Sequence, residues 1–489
     1  MLFPSCVLLW HGLAVVLEPI AAEQWRSATA RAAEHGIDVN LPRPQVPLVP
    51  STANFLAHPF FQLFFGEGGG ERDRITGLSE VIRPYLPRSS DAGDFGKVAD
   101  LLGALEALGT GLPHLIPEKN GEASVGGQLP GALQQTGIPW HELSLAAGRP
   151  SSQLPPVGSS LPTDDYTAPE NTLQLPHGII DFVLITNLRT LAAIESSQLE
   201  TARQSLLIQM RLADGFLAAP YLVNAIIGNS LRSWILDQIR AGIAHQLWEP
   251  ADLDWIGGWL PRSDGINELE TAFKSEIFFA LSSIVFTEKH PGSADRLFAT
   301  MSGTLGSGNT GNMLAPFDQE WLCFLRGSAQ PLYRIAPPAV FQLWRAQAVN
   351  TSCKFYLEPL KEIGLLGVAF PDEPNESLPE SFRLDKISLN FLKNDAKVRM
   401  CLISVVLREW HAIHQNFPAT LSSLPSYRME SVGTDPFSSA PFIYQRLSSN
   451  SYRLYSVGAD LVDDGGSLLN EQGKGDICWH FQPSRQNGH

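Results

Sequence analysis

The residues best suited to chemistry are four aspartates near the carboxyl end of the chain. Asp460, Asp463 and Asp464 follow an alternating segment with aromatic residues, and Asp476 comes shortly afterwards. Carboxylates so close together repel one another unless a hard divalent cation or strong hydrogen bonds offset their charge. Two glycines that follow directly would let the backbone curl so that carbonyl groups also point inward. The spacing predicts a metal site at these four aspartates, and a solvated acidic turn is the alternative.

Two other patterns could also carry chemistry, and each has a simpler explanation. Gly306 to Gly311 match the spacing of a dinucleotide-binding loop, but a helix end rather than a strand is predicted before them. His411 and His414 are three residues apart, so one face of a helix could present both to a metal ion. No acidic residue of a metalloprotease motif stands between them. We therefore expect a flexible loop and a solvated helix edge.

A long amphipathic helix and a small sheet are predicted to position the aspartates. Apolar residues recur at helical spacing over residues 387–416, which predicts a helix that buries one stripe. Three short segments follow, at 441–447, 452–457 and 476–481, and are predicted to be strands of an antiparallel sheet. The sheet would cover the apolar stripe and give an α+β module over residues 387–482.

The order of these elements resembles the C-terminal part of the major pseudopilins of type II secretion. The resemblance is carried by the long helix, the Asp-Pro-Phe turn at Asp435, the segment Leu454 to Asp460 and the Gly-Asp-Ile triplet around Asp476. In that family the loop after this strand binds calcium, so the resemblance implies a Ca²⁺ ion in this loop, for which the four aspartates are the candidate ligands, although the acidic residues are placed differently from those of the family. The chain departs from the family at its start, which shows no prepilin leader with an early glutamate in the hydrophobic helix. Packing into a pilus by the usual route is therefore not expected.

The first segment, residues 2–22, is almost entirely apolar and long enough for a helix that spans a bilayer. A secretory signal requires a Lys or Arg before its apolar segment, and none is present here. No convincing cleavage site follows the segment either. We therefore expect an uncleaved membrane anchor, with a cleaved signal or a buried core helix as alternatives. The residues that follow such an anchor would face the periplasm or the cell exterior.

Between this segment and the module, the chain changes character twice. Residues 23–177 are rich in proline and glycine and are predicted to form a stalk and irregular connections. Over residues 178–369 apolar residues recur at helical spacing, which predicts a domain of antiparallel helical hairpins. Residues 370–386 are expected to be a linker and residues 483–489 a tail. The predicted fold class is mainly α, with a central helical-hairpin domain and the C-terminal α+β module.

The net charge and the cysteine content argue against several classes of function. The chain of 489 residues has a formal net charge of −15 and no cluster of Lys and Arg. This argues against nucleic-acid binding, because phosphate contacts need such clusters. Its five cysteines are scattered without a Cys-X-X-Cys pair, so neither a zinc ribbon nor a redox motif is predicted.

These observations predict a membrane-anchored, extracytoplasmic scaffold or assembly protein with partners in a secretion or envelope system. The sequence lacks the serine-hydrolase elbow, P-loop and EF-hand signatures, which favours a binding protein over an enzyme. One alternative is an envelope hydrolase whose site lies between the helical domain and loop 302–312. The other is a purely structural envelope protein with no specific ligand.

Overall fold

The structure is a computed structural model. It describes residues 2–39, 48–65, 69–86, 104, 107–108, 125–154, 178–219, 221–260, 265–289, 338–358, 360, 384–429, 432–467 and 475–481. Loop 302–312, most of linker 370–386 and the tail 483–489 lie outside these residues.

The described chain is mainly helical, with one small antiparallel sheet near its carboxyl end, as predicted. The α-helices are α1 (Leu2–Glu34), α2 (Pro59–Phe65), α3 (Gly70–Ile82), α4 (Val125–Gln134), α5 (Trp140–Ala147), α6 (Ile179–Glu195), α7 (Leu199–Leu217), α8 (Leu222–Ala244), α9 (Pro250–Trp259), α10 (Gly265–Lys289), α11 (Pro338–Ser352), α12 (Leu384–His414) and α13 (Ser426–Met429). The strands are β1 (Ile443–Ser448), β2 (Ser451–Ser456) and β3 (Ile477–Phe481).

Helices α6, α7 and α8 form the centre of the helical body. Their connections are short, residues 196–198 between α6 and α7 and residues 218–221 between α7 and α8, so successive helices run antiparallel. Helix α6 is buried over nearly its whole length and carries polar side chains into the interior. There Gln209 and Gln238 hydrogen-bond each other at 2.8 Å, which satisfies amides that would otherwise be costly to bury. The predicted helical hairpins are therefore present.

An aromatic segment ahead of α3 covers one face of α6. The rings of Phe60 and Phe61 are buried and lie 5.0 and 6.0 Å from the ring of Phe182. Helices α3 and α4 pack against α6, and α5 packs against α7. Within residues 23–177, which the sequence predicts to be a stalk and irregular connections, the described parts thus include helices that belong to the body.

The apolar segment 2–22 lies in α1, which continues without a break to Glu34. None of the described helices is both long enough and apolar enough to cross a bilayer, so the predicted transmembrane anchor is wrong. The apolar run is interrupted inside the helix by Glu18 and Pro19. On the turns that follow, small side chains are buried as α1 packs against α11, and this helix partner is remote in sequence.

Helix α12 is shared between the helical body and the sheet. It begins at Leu384, three residues before its predicted start, and ends at His414. It packs against α8, α9 and α10 and also against β2 and β3. Because α12 is buried from both directions, one hydrophobic core runs from α1 to β3.

The sheet is a meander in the order β1-β2-β3, and both strand pairs are antiparallel. On one face Tyr452 lies opposite Phe481 and Leu454 opposite Trp479, all four fully buried or nearly so. This face covers α12, where Arg408 lies 5.3 Å from the ring of Phe481. Successive residues of a strand point to opposite faces, so Arg453 and Tyr455 lie on the other face, beside the acidic loop.

A close approach between α8 and a tryptophan gives a prediction about stability. A methyl group at Gly242 would overlap the indole of Trp248, whose Nε1 donates to the Ile239 oxygen at 2.9 Å. We expect Gly242→Ala to lower the free energy of unfolding by about 1–3 kcal/mol, because overpacking outweighs the gain in helix propensity. Chemical denaturation measures this change.

The matched control is Gly258→Ala in α9, where a methyl group would meet no atom within 4 Å. This substitution should leave stability unchanged or raise it by up to about 1 kcal/mol. If both substitutions stabilised the protein equally, the packing of Trp248 on α8 would be refuted.

Candidate functional site

The candidate site is the acidic loop 458–467, which leaves β2 and returns towards β3. Gly458 adopts a φ of +71°, and a side chain there would come within 2.7 Å of the carbonyl oxygen of Gly475. Both the positive φ and the close backbone approach require glycine where the loop begins. The close approach of Gly458 to Gly475 therefore fixes where the loop leaves the sheet.

Hydrogen bonds from the protein hold two of the predicted metal ligands. The Oδ1 atom of Asp463 accepts from the hydroxyl of Tyr455 at 3.0 Å and from the backbone nitrogen of Gly465 at 2.9 Å. The Oδ2 atom of Asp460 accepts from the backbone nitrogen of Gly475 at 3.2 Å. Such donors offset the repulsion between neighbouring carboxylates.

Asp476 has a different environment, because it is fully buried just before β3. Its Oδ2 atom accepts from the backbone nitrogen of Gly466 at 2.6 Å. Its Oδ1 atom is buried and has no hydrogen-bond partner in the part of the chain that the structure describes. Burial raises the pKa of Asp476; backbone hydrogen bonds from Gly466 and Asp464 lower it in part, and the charges of Asp463 and Asp464 raise it. The charge of Asp476 is therefore incompletely compensated by the described residues.

The described residues do not bring the four predicted ligands together as a metal site. Among the described residues, no group of three or more His, Cys, Asp or Glu side chains could hold a metal ion. Asp464 is exposed in the loop, whereas Asp476 lies inside the sheet. Residues 468–474, which contain further oxygen donors in Asn470 and Glu471, lie outside the described residues. Ca²⁺ takes about six to eight oxygen ligands, so the described carboxylates alone do not complete its coordination.

Two side chains of the sheet hold the loop backbone. Arg453 donates from Nη1 to the carbonyl oxygen of Gly465 at 2.7 Å, and the thiol of Cys478 donates to the oxygen of Gly466 at 3.1 Å. Burial raises the pKa of the Cys478 thiol to about 12, so the thiol stays protonated and can donate. The loop is thus attached to β2 and β3 through its glycines as well as its aspartates.

Asp435 is a buried carboxylate that the sequence analysis assigned to a turn and not to the site. It accepts from the backbone nitrogen of Phe437 at 3.0 Å and from the hydroxyls of Ser456 and Ser438 at 2.9 and 3.1 Å. Burial raises its pKa. Since Ser456 ends β2, Asp435 ties the Asp-Pro-Phe turn to the start of the acidic loop. The turn was visible in the sequence, but the bond to Ser456 depends on the sheet.

The two histidines lie at the end of α12, as predicted for a solvated helix edge. The Nε2 atom of His411 is 3.0 Å from Oδ1 of Asn450. The ring of His414 stacks on Trp410 with centroids 3.9 Å apart. The glycine-rich segment from Gly306 to Gly311 lies outside the described residues.

Comparisons with family models, curated proteins and solved structures found no match to this chain. The resemblance to pseudopilins therefore depends on the residues that carry it and stays a prediction.

The environment of Asp476 predicts a pH dependence of stability. Its pKa is raised by folding, so the folded state keeps this proton to a higher pH than the unfolded chain does. Stability relative to the Asp476→Asn variant should therefore fall as the pH rises from about 4, the ordinary range of an aspartate, through the raised pKa. Urea denaturation of both proteins in EDTA between pH 4 and 7 measures this difference.

Taking the difference between the two proteins removes the contributions of other buried carboxylates, including Asp435. A difference that stayed constant or grew with pH would contradict the burial of an uncompensated carboxylate at Asp476.

Proposed function

We propose that this protein is a non-enzymatic scaffold or assembly protein, in which a helical body presents a C-terminal α+β module to protein partners. The observation that carries the proposal is the two-sided burial of α12. The order of long helix, meander and acidic loop is the order that the resemblance to pseudopilins implies, and it supports the same class of function.

Polar contacts fix the start of α12 on the body. Asn394 donates to the backbone oxygen of Asn229 on α8 at 2.7 Å, and Lys397 donates to Ser233 at 3.1 Å. Lys397 also pairs with Asp237 at 3.7 Å. These bonds tie the register of α12 to that of α8, because a shift along the axis would leave buried polar groups without partners. The fixed position of α12 on the body supports a presenting role for the module.

The end of the module offers the surface for partners. Ile413 and Tyr427 are 77% and 73% exposed, and Leu447 on β1 is 42% exposed. The ion pair between Arg428 and Glu409, at 3.0 Å, places α13 beside the last turns of α12. β1 forms one edge of the sheet, and strand edges are ready templates for pairing with another chain.

Substitutions on this surface test the scaffold proposal. We expect Tyr427→Ser combined with Leu447→Ser to reduce recovery of co-purifying proteins at least about tenfold, the loss expected for about 1.4 kcal/mol of binding energy. The melting temperature should hardly change, because exposed substitutions have small effects on stability. Quantitative mass spectrometry after affinity purification of the full chain from its native cells gives the recovery.

Leu145→Ser provides the control, since Leu145 is 66% exposed on α5, in the helical body. Recovery should be unchanged by this substitution. Equal loss of partners in both variants, or no partner of constant stoichiometry with the wild type, would refute presentation by the module.

A second candidate property is stabilisation of the acidic loop by Ca²⁺. The observation in its favour is the buried Oδ1 atom of Asp476, which lacks a hydrogen bond within the described residues and lies near the charges of Asp463 and Asp464. The carboxylate oxygens would come from Asp463, Asp464 and Asp476. Asp460 would hold the two ends of the loop together through its hydrogen bond with the backbone nitrogen of Gly475. A bound cation would offset the repulsion between the carboxylates.

Calcium titration tests this property directly. A ligand that binds only the folded state stabilises it by about 2.7 kcal/mol at one hundred times its dissociation constant. We expect the melting temperature to rise with Ca²⁺ and to return to its starting value after EDTA. Asp476→Asn should remove most of this rise, and Asp254→Asn on the exposed side of α9 should not. An unchanged melting temperature in the wild type would exclude the cation.

Location outside the cytoplasm and partners in the envelope stay predictions. For the alternative of a hydrolase, loop 302–312 lies outside the described residues, and no observation in the structure favours it.

A further inference from the structure

Helix α6 carries a buried guanidinium that the proposed function does not use. Arg189 is only 3% exposed, although arginine is almost never fully buried without a charged partner. It lies between α4, α5 and α7. Its Cζ atom is 4.7 Å from the centre of the Trp140 ring, so an attraction between cation and aromatic ring offsets part of the cost of burial.

The hydrogen bonds of Arg189 leave one edge of the guanidinium underused. Nη1 donates to the hydroxyl of Ser205 and, at 3.5 Å, to the backbone oxygen of Thr201. Nη2 has a long bond of 3.4 Å to Oε1 of Gln134, and Nε is buried without any partner within the described residues. A guanidinium has five N–H donors in a fixed fork. Nε and Nη2 form the side-on edge that receives two oxygens of one carboxylate or phosphate.

The charge of Arg189 is uncompensated as well. No acidic side chain pairs with it among the described residues, and burial alone lowers its pKa to about 10. Two other arginines of the helical body, one partly and one largely buried, are paired with carboxylates. Arg203 donates to Asp252 at 2.8 Å, and Arg232 pairs with Glu268 at 2.8 Å. Burying an ion without a counter-ion costs several kcal/mol.

We propose that Arg189 is the anchor of a binding site for a small oxyanion, a carboxylate or phosphoryl group that engages the Nε and Nη2 edge. The anion would reach the guanidinium by displacing the side chain of Gln134. This side chain is exposed at the end of α4, and its hydrogen bond to the guanidinium is long, at 3.4 Å. The anion replaces this weak neutral acceptor. Ser205 and Thr201 keep the guanidinium oriented through Nη1, and the Trp140 ring supports its face.

Melting experiments with named anions test the site. Sodium acetate, sodium sulfate and sodium phosphate are titrated against sodium chloride at equal ionic strength. We expect a saturable rise in melting temperature beyond that in chloride, about 1–2 °C at ten times the dissociation constant for a chain of this length. Acetate alone acting would identify a carboxylate site, and phosphate or sulfate alone a phosphoryl site.

A carboxylate built into the chain should take the place of the anion. We expect Gln134→Glu to raise the melting temperature without added anion and to abolish the response to the oxyanions. Gln135→Glu is the matched control, since the neighbouring side chain is also exposed and the change in net charge is the same. Gln135→Glu should keep the full response.

Two results would overturn the proposal. One is a wild-type protein that responds to the oxyanions no more than to chloride, which would mean that the neutral bonds and Trp140 suffice for Arg189. The other is a Gln134→Glu variant that responds as strongly as the Gln135→Glu variant, which would place the anion elsewhere. Neither variant removes a buried contact, so both should fold.

Discussion

The structure depends on a single helix that has to be buried from two directions. Helix α12 places its first turns against α8 and α10 and its last turns under the sheet. Buried polar residues are part of this contact, since Asn394 and Lys397 need Asn229 and Ser233 as partners. Because these bonds tie one register of α12 to one register of α8, the sheet and its loop take a defined position on the helical body. The proposed presentation of the module rests on this geometry.

The acidic loop shows how the protein distributes charge at the end of that helix. Asp460 and Asp463 accept hydrogen bonds from the backbone and from Tyr455, and Arg453 brings a positive charge to the loop. Asp476 also accepts from the backbone through Oδ2, but its Oδ1 atom lacks a donor within the described residues and its burial raises its pKa. Protein donors thus offset part of the repulsion between these carboxylates, and they do so less completely at the buried Asp476.

The sequence predicted the elements that depend on local pattern. Helical spacing revealed α6 to α8 and α12, and alternation located β1, β2 and β3 to within about two residues. Prediction from the sequence failed where the structure of a segment depends on a contact with residues remote in the chain. The apolar start of α1 has the pattern of an anchor, but its later turns pack on α11, more than three hundred residues away. Asp435 was read as a turn residue, because its bond to Ser456 exists only once β2 is in place.

Arg189 belongs to the same class of residue that local pattern cannot explain. In the sequence it is one basic residue in an apolar helix, and a salt bridge would be the ordinary expectation for it. The fold instead surrounds it with Trp140, Ser205 and the exposed Gln134. Arg203 and Arg232, by contrast, have carboxylate partners in the same body. Arg189 has no carboxylate partner among the described residues. A bound anion from solution would supply the missing counter-ion, and this is the difference between the proposed binding role of Arg189 and the structural role of the paired arginines.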